Sequence, residues 1–381
     1  DVAILEDGQP SFATGHAIGE FPLAITTVAV SSSGQGGGSV VSVDAQGVLQ
    51  VGPESAGSTP GPACFGRGGE RMTVTDAALL CGILGHGALG FGAIAPDRAL
   101  AEAAARPLAE RLHLSIEALA EGVLTVAISG MLIPIEQLLA RAGLHASELT
   151  LMPFGGAGPM FGALMADAAG MTSVLVPASP GTLCALGAVA AAIRRDAMRT
   201  VLLPLDAESW DGMRGTMDTL AQEAADAVAA MAGPGESAVV RAADLRYRGQ
   251  SFELTVPLEP GVDAAGLVRL FHAAHEKSFG HAEAGAPVQV VSLRASASRP
   301  APPIAMPRTQ ETPHRALARG QARLFAGGTW QDAALFDRTA LEAGAEFRGP
   351  AIVTQSDCTI LVPPGWAARV DGLRNLVMEQ G

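Results

Sequence analysis

A glycine turn between two apolar runs fixes the kind of fold available to this chain. Leu149-Thr150-Leu151-Met152-Pro153-Phe154 reads as a strand, Gly155-Gly156-Ala157-Gly158-Pro159 as the turn, and Met160–Ala169 as a helix. The next segment repeats that order. Ser173–Val176 reads as a strand, Ser179-Pro180-Gly181 as a loop, and Leu183–Ile193 as a helix so apolar that burial is expected. Strands alternating with helices give α/β architecture. Glycine lets a backbone approach a ligand closely, and a helix N-terminus offers free N–H groups to an anion or nucleotide. The turn is not the G-x-G-x-x-G fingerprint, because no glycine falls at the required third place. From the residues alone it is either a ligand-facing loop or a tight strand–helix joint.

On the N-terminal side, Val40–Val43 and Val48–Val51 flank Asp44-Ala45-Gln46-Gly47 as a hairpin. Gly34-Gln35-Gly36-Gly37-Gly38-Ser39 precedes it. Successive N–H groups in such a loop form anion-binding nests, and the alternative is a flexible hairpin tip. Val51 to Gly69 has no apolar period and reads as a long loop carrying Glu54, Cys64 and Arg67. Helices follow. Thr75-Asp76 is expected to cap Ala77–Leu84, Asp97 to cap Arg98–Leu112, and Ser115 to cap Ile116 to about Ala142, with Gly143 as a stop. Pro134 is expected to kink or split the last of these. Asp76 is an N-cap or a ligand-facing carboxylate, its position favouring the cap. Beyond Arg194 the pattern gives an acidic helix over 206–232, strand alternation over Ala242–Val256, a helix from Ala264 to about Phe279, and a strand over Val288–Ala297. Prolines at 300, 302, 303, 307 and 313 suggest a linker, and short strands from Gln321 to Val370 a small β-rich domain. The expected division is 1–198, 199–300, a linker at 301–314, and 315–381.

Composition removes several functions. With 25 Lys+Arg against 38 Asp+Glu the formal charge is −13, so the basic face of a nucleic-acid binder is not expected. Lys277 is the single lysine, and no Gly-Lys-Ser/Thr triplet exists to build a P-loop. Cys64, Cys81, Cys184 and Cys358 lie far apart without a C-x-x-C pair, which suits a reducing compartment and a cytoplasmic location. Cys64 has no local base and reads as a buried structural thiol. No apolar run of about 18 residues is expected, and hence no membrane span. No signal peptide is read, and the opening on Asp1, already in a strand-like pattern, suggests a piece of a longer chain. His272, His275 and His281 with Glu276 lack the H-E-x-x-H order and read as a surface helix, not a metal site.

Taken together the motifs resemble the hydantoinase/oxoprolinase family, A-type subunit. They are Val51-Gly-Pro-Glu-Ser-Ala-Gly57, Pro60-Gly-Pro-Ala-Cys-Phe-Gly-Arg-Gly-Gly69, Thr73-Val-Thr-Asp-Ala77, Phe154–Pro159, Leu245-Arg-Tyr-Arg-Gly-Gln-Ser251, Gly349-Pro-Ala-Ile-Val353 and Val362-Pro-Pro-Gly-Trp366. The resemblance runs over essentially the whole chain. It implies an incomplete ribonuclease H-like ATPase domain of the actin, Hsc70 and sugar-kinase kind, followed by an α+β unit and a small β-rich domain. It implies ATP and Mg²⁺ as cofactors, a small cyclic amide of the 5-oxoproline or hydantoin type as substrate, and two partners: a B-type subunit and the N-terminal half of the family chain. Carried over residue by residue, Asp1 matches the closing aspartate of the family's phosphate hairpin. Gly36, Gly37, Gly38 and Ser39 match its Gly-Gly-Gly-Ser loop. Gly155, Gly156 and Gly158 match its glycine turn, which resembles an adenosine-contacting motif. Glu54, Arg67 and Asp76 match the central block and are the catalytic candidates. The chain also departs from the family. Ala29, Ser31 and Ser32 stand at Asp-x-His-Thr, Phe161 at a histidine, and Ile128-Ser129-Gly130 at Asn-Ala-Asn. Proton-transferring or metal-holding groups are thus missing, and reduced or altered hydrolysis is expected. A non-catalytic subunit that keeps the fold is the alternative.

Overall fold

The computed structural model describes residues 1–13, 17–18, 21–22, 27–87 and 89–381. They form two compact units, one of residues 1–186 with 305–381, the other of residues 187–304.

After short two-residue strand pairs, such as Leu5–Glu6 with Gln9–Pro10, the first unit forms the hairpin of β1 (Ser39–Val43) and β2 (Leu49–Ser55). Asp44 makes the turn, its Oδ1 accepting from the N–H groups of Gln46 and Val48, both at 2.9 Å. Three helices follow: α1 (Val74–Leu80), α2 (Arg98–Leu112) and α3 (Ile116–Ala142). Asp97 and Ser115 cap α2 and α3, and Gly143 ends α3 in the left-handed conformation, as the sequence predicts. Pro134 does not split α3, which is one continuous helix. The start of α1 differs from expectation. Its N-cap is Thr73, and Asp76 is the third helical residue of a capping box. The segment Ile116–Ala140 of α3 is long and apolar enough to cross a membrane by length and composition, which overturns the expectation that no such run exists. Leu119, Ala120, Val123, Leu124 and Ala127 of that segment are buried in the core with Leu79 and Leu80 of α1 and Ala101 and Ala105 of α2, so α3 is a core helix here. Each large side chain buried in this way contributes about 1.5–3 kcal/mol relative to exposure.

Next come β3 (Thr150–Leu151), α4 (Gly158–Ala169), β4 (Ser173–Val176) and α5 (Leu183–Ala190). β3 and β4 are parallel with the glycine turn and α4 between them, the α/β joint expected from the sequence. None of the α5 residues is buried, against expectation. Composition shows that a segment is apolar; whether a neighbour covers it is decided by topology. α5 also stops short, because Ile193 already belongs to a strand.

The second unit is a four-stranded antiparallel sheet flanked by helices. Its elements are β5 (Ile193–Pro204), α6 (Ala207–Ala232), β6 (Ala238–Tyr247), β7 (Leu254–Pro257), α7 (Ala264–Phe279) and β8 (Val288–Arg299), with strand order β5-β8-β6-β7. Trp210 and Leu220 from α6 and Leu267 and Phe271 from α7 meet Leu245 and Leu293 of the sheet.

The chain then returns to the first unit with β9 (His314–Arg315), β10 (Gly320–Ala326), β11 (Thr329–Asp337), β12 (Ala345–Arg348), β13 (Ala351–Thr354), β14 (Thr359–Val362), β15 (Trp366–Val370) and β16 (Leu376–Gln380). These strands do not make the separate domain expected for 315–381. β16 pairs antiparallel with β4, Val174 opposite Met378, so six strands in the order β9-β12-β15-β16-β4-β3 form one sheet built from both ends of the chain. A second sheet, β10-β11-β13-β14, docks on α1 through Phe325 N, which donates to Cys81 O at 2.8 Å. The proline-rich segment is tied down as well, since Thr309 N donates to Gly372 O (2.8 Å) and Glu311 pairs with Arg369 (3.0 Å).

Candidate functional site

The two glycine loops meet. Gly36–Ser39 leads into β1, and Thr75 of α1 fastens it: both Thr75 N and Thr75 Oγ1 donate to Gly37 O at 2.8 Å. Ser39 closes the loop, its Oγ accepting from Gly36 N (3.0 Å) and donating to Gly34 O (3.2 Å). A Cβ on Gly37 would stand 2.9 Å from Thr75 Oγ1 and 3.6 Å from the Cβ of Ala157 in the Gly155–Pro159 turn. Only glycine allows that approach. Gly158 and Pro159 begin α4, so the N-terminal end of a 12-residue helix opens at this junction.

A third loop completes the neighbourhood, and the sequence did not single it out. Gln355–Cys358 connects β13 to β14. Gln355 N donates to Cys358 O (3.0 Å), and Gln355 Nε2 to Ala178 O (2.8 Å). Asp357 Oδ2 accepts from Gly181 N at 2.9 Å. Pro180 O in turn accepts from Gly155 N at 2.8 Å, and a Cβ on Gly156 would lie 3.5 Å from Asp357 O. A lone carboxylate in a hairpin loop carries no motif, so nothing in the sequence could have found it.

The candidate residues have different fates. Asp1 accepts a hydrogen bond from Ser32 Oγ, and Val2 pairs with Ser31, so the chain start lies beside the approach to the Gly36–Ser39 loop. Glu54 is on β2 next to the same loop but is exposed. The Arg71 guanidinium, 2.7 Å away, holds its carboxyl below the usual carboxylate range. Arg67 is exposed on the segment after Ala63–Phe65. Asp76 is fully buried and saturated: Oδ1 accepts from Cys64 N (2.7 Å), and Oδ2 from Ala63 N (3.3 Å), Thr73 N (2.8 Å) and Thr73 Oγ1 (2.8 Å). With no solvent exposure and four donors from the surrounding chain on it, it is out of reach of a reacting group, so the expectation of a catalytic Asp76 gives way to a structural carboxylate. Cys64 is buried, and burial with the Asp76 charge pushes its thiol up, as a structural cysteine requires. Phe161, 1% exposed, lies in the core cluster with Met160 and Ala127. Gln35 lies across Gly130, where a Cβ would stand 2.8 Å from its Cγ. Nothing larger than glycine fits at that place while Gln35 keeps this pose.

No metal set forms from the histidines. His275 meets the Tyr247 ring edge-on and His272 lies tilted against it, His275 Nδ1 bonds His281 O at 2.7 Å, and among the described residues no three His, Cys, Asp or Glu side chains converge to hold an ion.

The first unit is thus mixed α/β, with two glycine loops converging at a helix start. The chain belongs to the hydantoinase/oxoprolinase family, whose sequence pattern matches residues 1–197 and whose C-terminal domain pattern matches residues 213–380. It is 31% identical over 384 residues to the caprolactamase subunit alpha of Pseudomonas jessenii, covering 97% of this chain and 55% of the relative. The crystal structure of the ATP-dependent caprolactamase from that organism superposes with a TM-score of 0.78 at 30% identity, covering 97% of this chain and 55% of that one. The acetone carboxylase beta subunit of Xanthobacter autotrophicus is 25% identical over 395 residues, covering 98% of this chain and 55% of the relative. A nucleotide-free acetone carboxylase structure shares the fold, with a TM-score of 0.81 at 23% identity, covering 98% and 56%. The 5-oxoprolinase 1 of Arabidopsis thaliana is 29% identical over 383 residues, covering 94% of this chain and 29% of the relative. The chain thus spans about half the length of the caprolactamase and acetone carboxylase subunits it matches.

Proposed function

We propose that this chain is the second half of an ATP-dependent hydrolase of cyclic amides, acting in the cytoplasm with the first half of the family chain and a B-type partner subunit. The carrying observation is the junction itself. Gly37, held by Thr75, lies against Ala157, so two glycine loops line one place at the start of α4. The residues fit a nucleotide. Backbone can approach closely on both sides, and a helix N-terminus favours negative charge. ATP, when bound, supplies the phosphoryl group that turns the amide carbonyl into an electrophile water can open. The chain's own contribution is positioning: the Gly36–Ser39 loop is pinned by Thr75 and Ser39, so its backbone is set before a ligand arrives. Asp1 is the carboxylate at that end, and Mg²⁺ would be held mainly through phosphate oxygens.

The test is phosphate release by the complete enzyme, with and without ε-caprolactam, 5-oxoproline or hydantoin. Stimulation by at least one is expected, and Gly37→Ala should lower it by about a hundredfold, because the new Cβ pushes the loop off Thr75. Phosphate release that none of the three amides stimulates would overturn the proposal. A second reading, a non-catalytic subunit, draws on Phe161, a core ring where the family resemblance implies an imidazole, and on Ala29 and Ser31. It predicts a stable complex with no turnover.

A further inference from the structure

We infer that α5 is the seat of the first half of the larger chain, and that the glycine junction lies at the seam between the two halves. This rests on the reading of the chain as the second half of an enzyme. The observation is an apolar helix left in solvent. From Pro180 to Ile193 no side chain is charged, yet none of the α5 residues is buried, and Val189 is 69% exposed. A helix that is apolar all round belongs inside a protein or a membrane, and a contiguous apolar surface marks a contact site. Eight residues rise only about 12 Å, too little for a hydrocarbon layer of about 30 Å. A small ligand would find no charged group there to orient it. The cover for α5 is therefore protein.

The chemistry of the helix points to a permanent neighbour. Partners that come and go meet through surfaces that stay soluble when apart, whereas a permanent interface resembles a core cut in half. Leu183, Leu186 and Val189, set among alanines with no charge between them, make the second kind of surface. A neighbour of that kind exists in the relatives. This chain covers 55% of the caprolactamase and acetone carboxylase subunits, so in them a second body of similar size is covalently joined to the first. Position gives the contact its meaning. α5 leaves the glycine junction directly: just before the helix, Pro180 O accepts from Gly155 N at 2.8 Å and Gly181 N donates to Asp357 Oδ2 at 2.9 Å. Phe154, 40% exposed, precedes the glycine turn on the other side of that Pro180–Gly155 bond. A body packed on α5 therefore reaches Gly155–Pro159 and supplies the second wall of the nucleotide site.

The experiment uses the complete larger chain, purified without the B-type subunit. Cys184 of α5 is exposed here, whereas Cys64, Cys81 and Cys358 are buried, so maleimide labelling read by peptide mass reports on α5. In the native complete chain Cys184 should react at least about tenfold more slowly than in urea. Ala188 is exposed and one turn from Cys184 on the same helix face. Ala188→Asp puts a charge into the contact and should bring the Cys184 rate to within about twofold of that in urea, with the other three thiols unlabelled. Photo-leucine at Leu183 and Leu186 identifies the neighbour, and cross-links to the first half are expected. Cross-links confined to residues 1–381, whether of this chain or of a second copy, would overturn the inference. Free labelling of native Cys184, or protection that appears only when the B-type subunit is added, would overturn it too. If Ala188→Asp fails to fold, labelling and cross-linking of the wild type decide. Turnover is read separately. A protected Cys184 in an enzyme that no cyclic amide stimulates sinks the proposed function and leaves the seam, whereas amide-stimulated phosphate release with Cys184 freely labelled sinks only the seam.

Discussion

Asp76 shows how one residue can look catalytic and be structural. Four donors, from Ala63, Cys64 and Thr73, converge on its carboxylate at the start of α1. Removing the acceptor strands them in the core. Asp76→Ala should therefore cost about 3–5 kcal/mol in urea unfolding; unchanged stability with lost activity would restore the catalytic reading. The capping position of Asp76 was legible in the sequence, because Thr73 and Asp76 have capping-box spacing. Its partners Ala63 and Cys64 were not, since they arrive from a loop with no periodic signal. Glu54 was read in a long loop and became a candidate only through the family resemblance; it stands on β2, and its pairing with Arg71 depends on how the segment after β2 folds back. Thr75 and Asp357 were invisible as site residues, one hidden inside a helix start, the other in a hairpin loop.

At the scale of elements, caps and periods did most of the predicting. Asp97, Ser115 and Gly143 set the ends of α2 and α3 where their side chains or left-handed backbone require. β12 and β16 escaped although β13 and β14 are no longer, because Glu346, Arg348 and Glu379 interrupt their apolar runs. α3 also reaches beyond its own core. Glu121 accepts from Gly327 N (2.6 Å) and Gly328 N (3.1 Å), so a helix side chain anchors the turn of the β10–β11 hairpin. Both glycines are in the left-handed region, and the turn cannot supply those acceptors itself. Glu121→Ala should destabilise the chain by about 1–2 kcal/mol, and Glu121→Gln, which keeps an acceptor, by less. Equal effects in thermal unfolding would show that packing of the side chain, not these hydrogen bonds, matters.

For the whole molecule, the two units make opposite predictions. Residues 187–304 are continuous and carry their own core around Trp210, Leu245 and Phe271, so they should fold alone and unfold cooperatively. Residues 1–186 alone should not, because β4 loses β16, and α4 loses its packing against β14 and the core that holds Ile360, Trp366 and Met378. Circular dichroism and urea titration of the two fragments check this; a cooperatively folded 1–186 would refute the shared sheet. The sequence by itself determined the α/β class, most helix ends and the glycine loops, because those follow from period, capping chemistry and backbone freedom within a few residues. Tertiary structure decided that the C-terminal strands complete the first unit, that Asp76 is buried and saturated, and that Asp357 stands at the glycine junction. Each depends on pairing between segments more than 10 residues apart, 176 for Gly181 with Asp357 and 206 for Ser173 with Glu379. No local pattern encodes such pairing, because it is the burial of whole faces against each other that selects it.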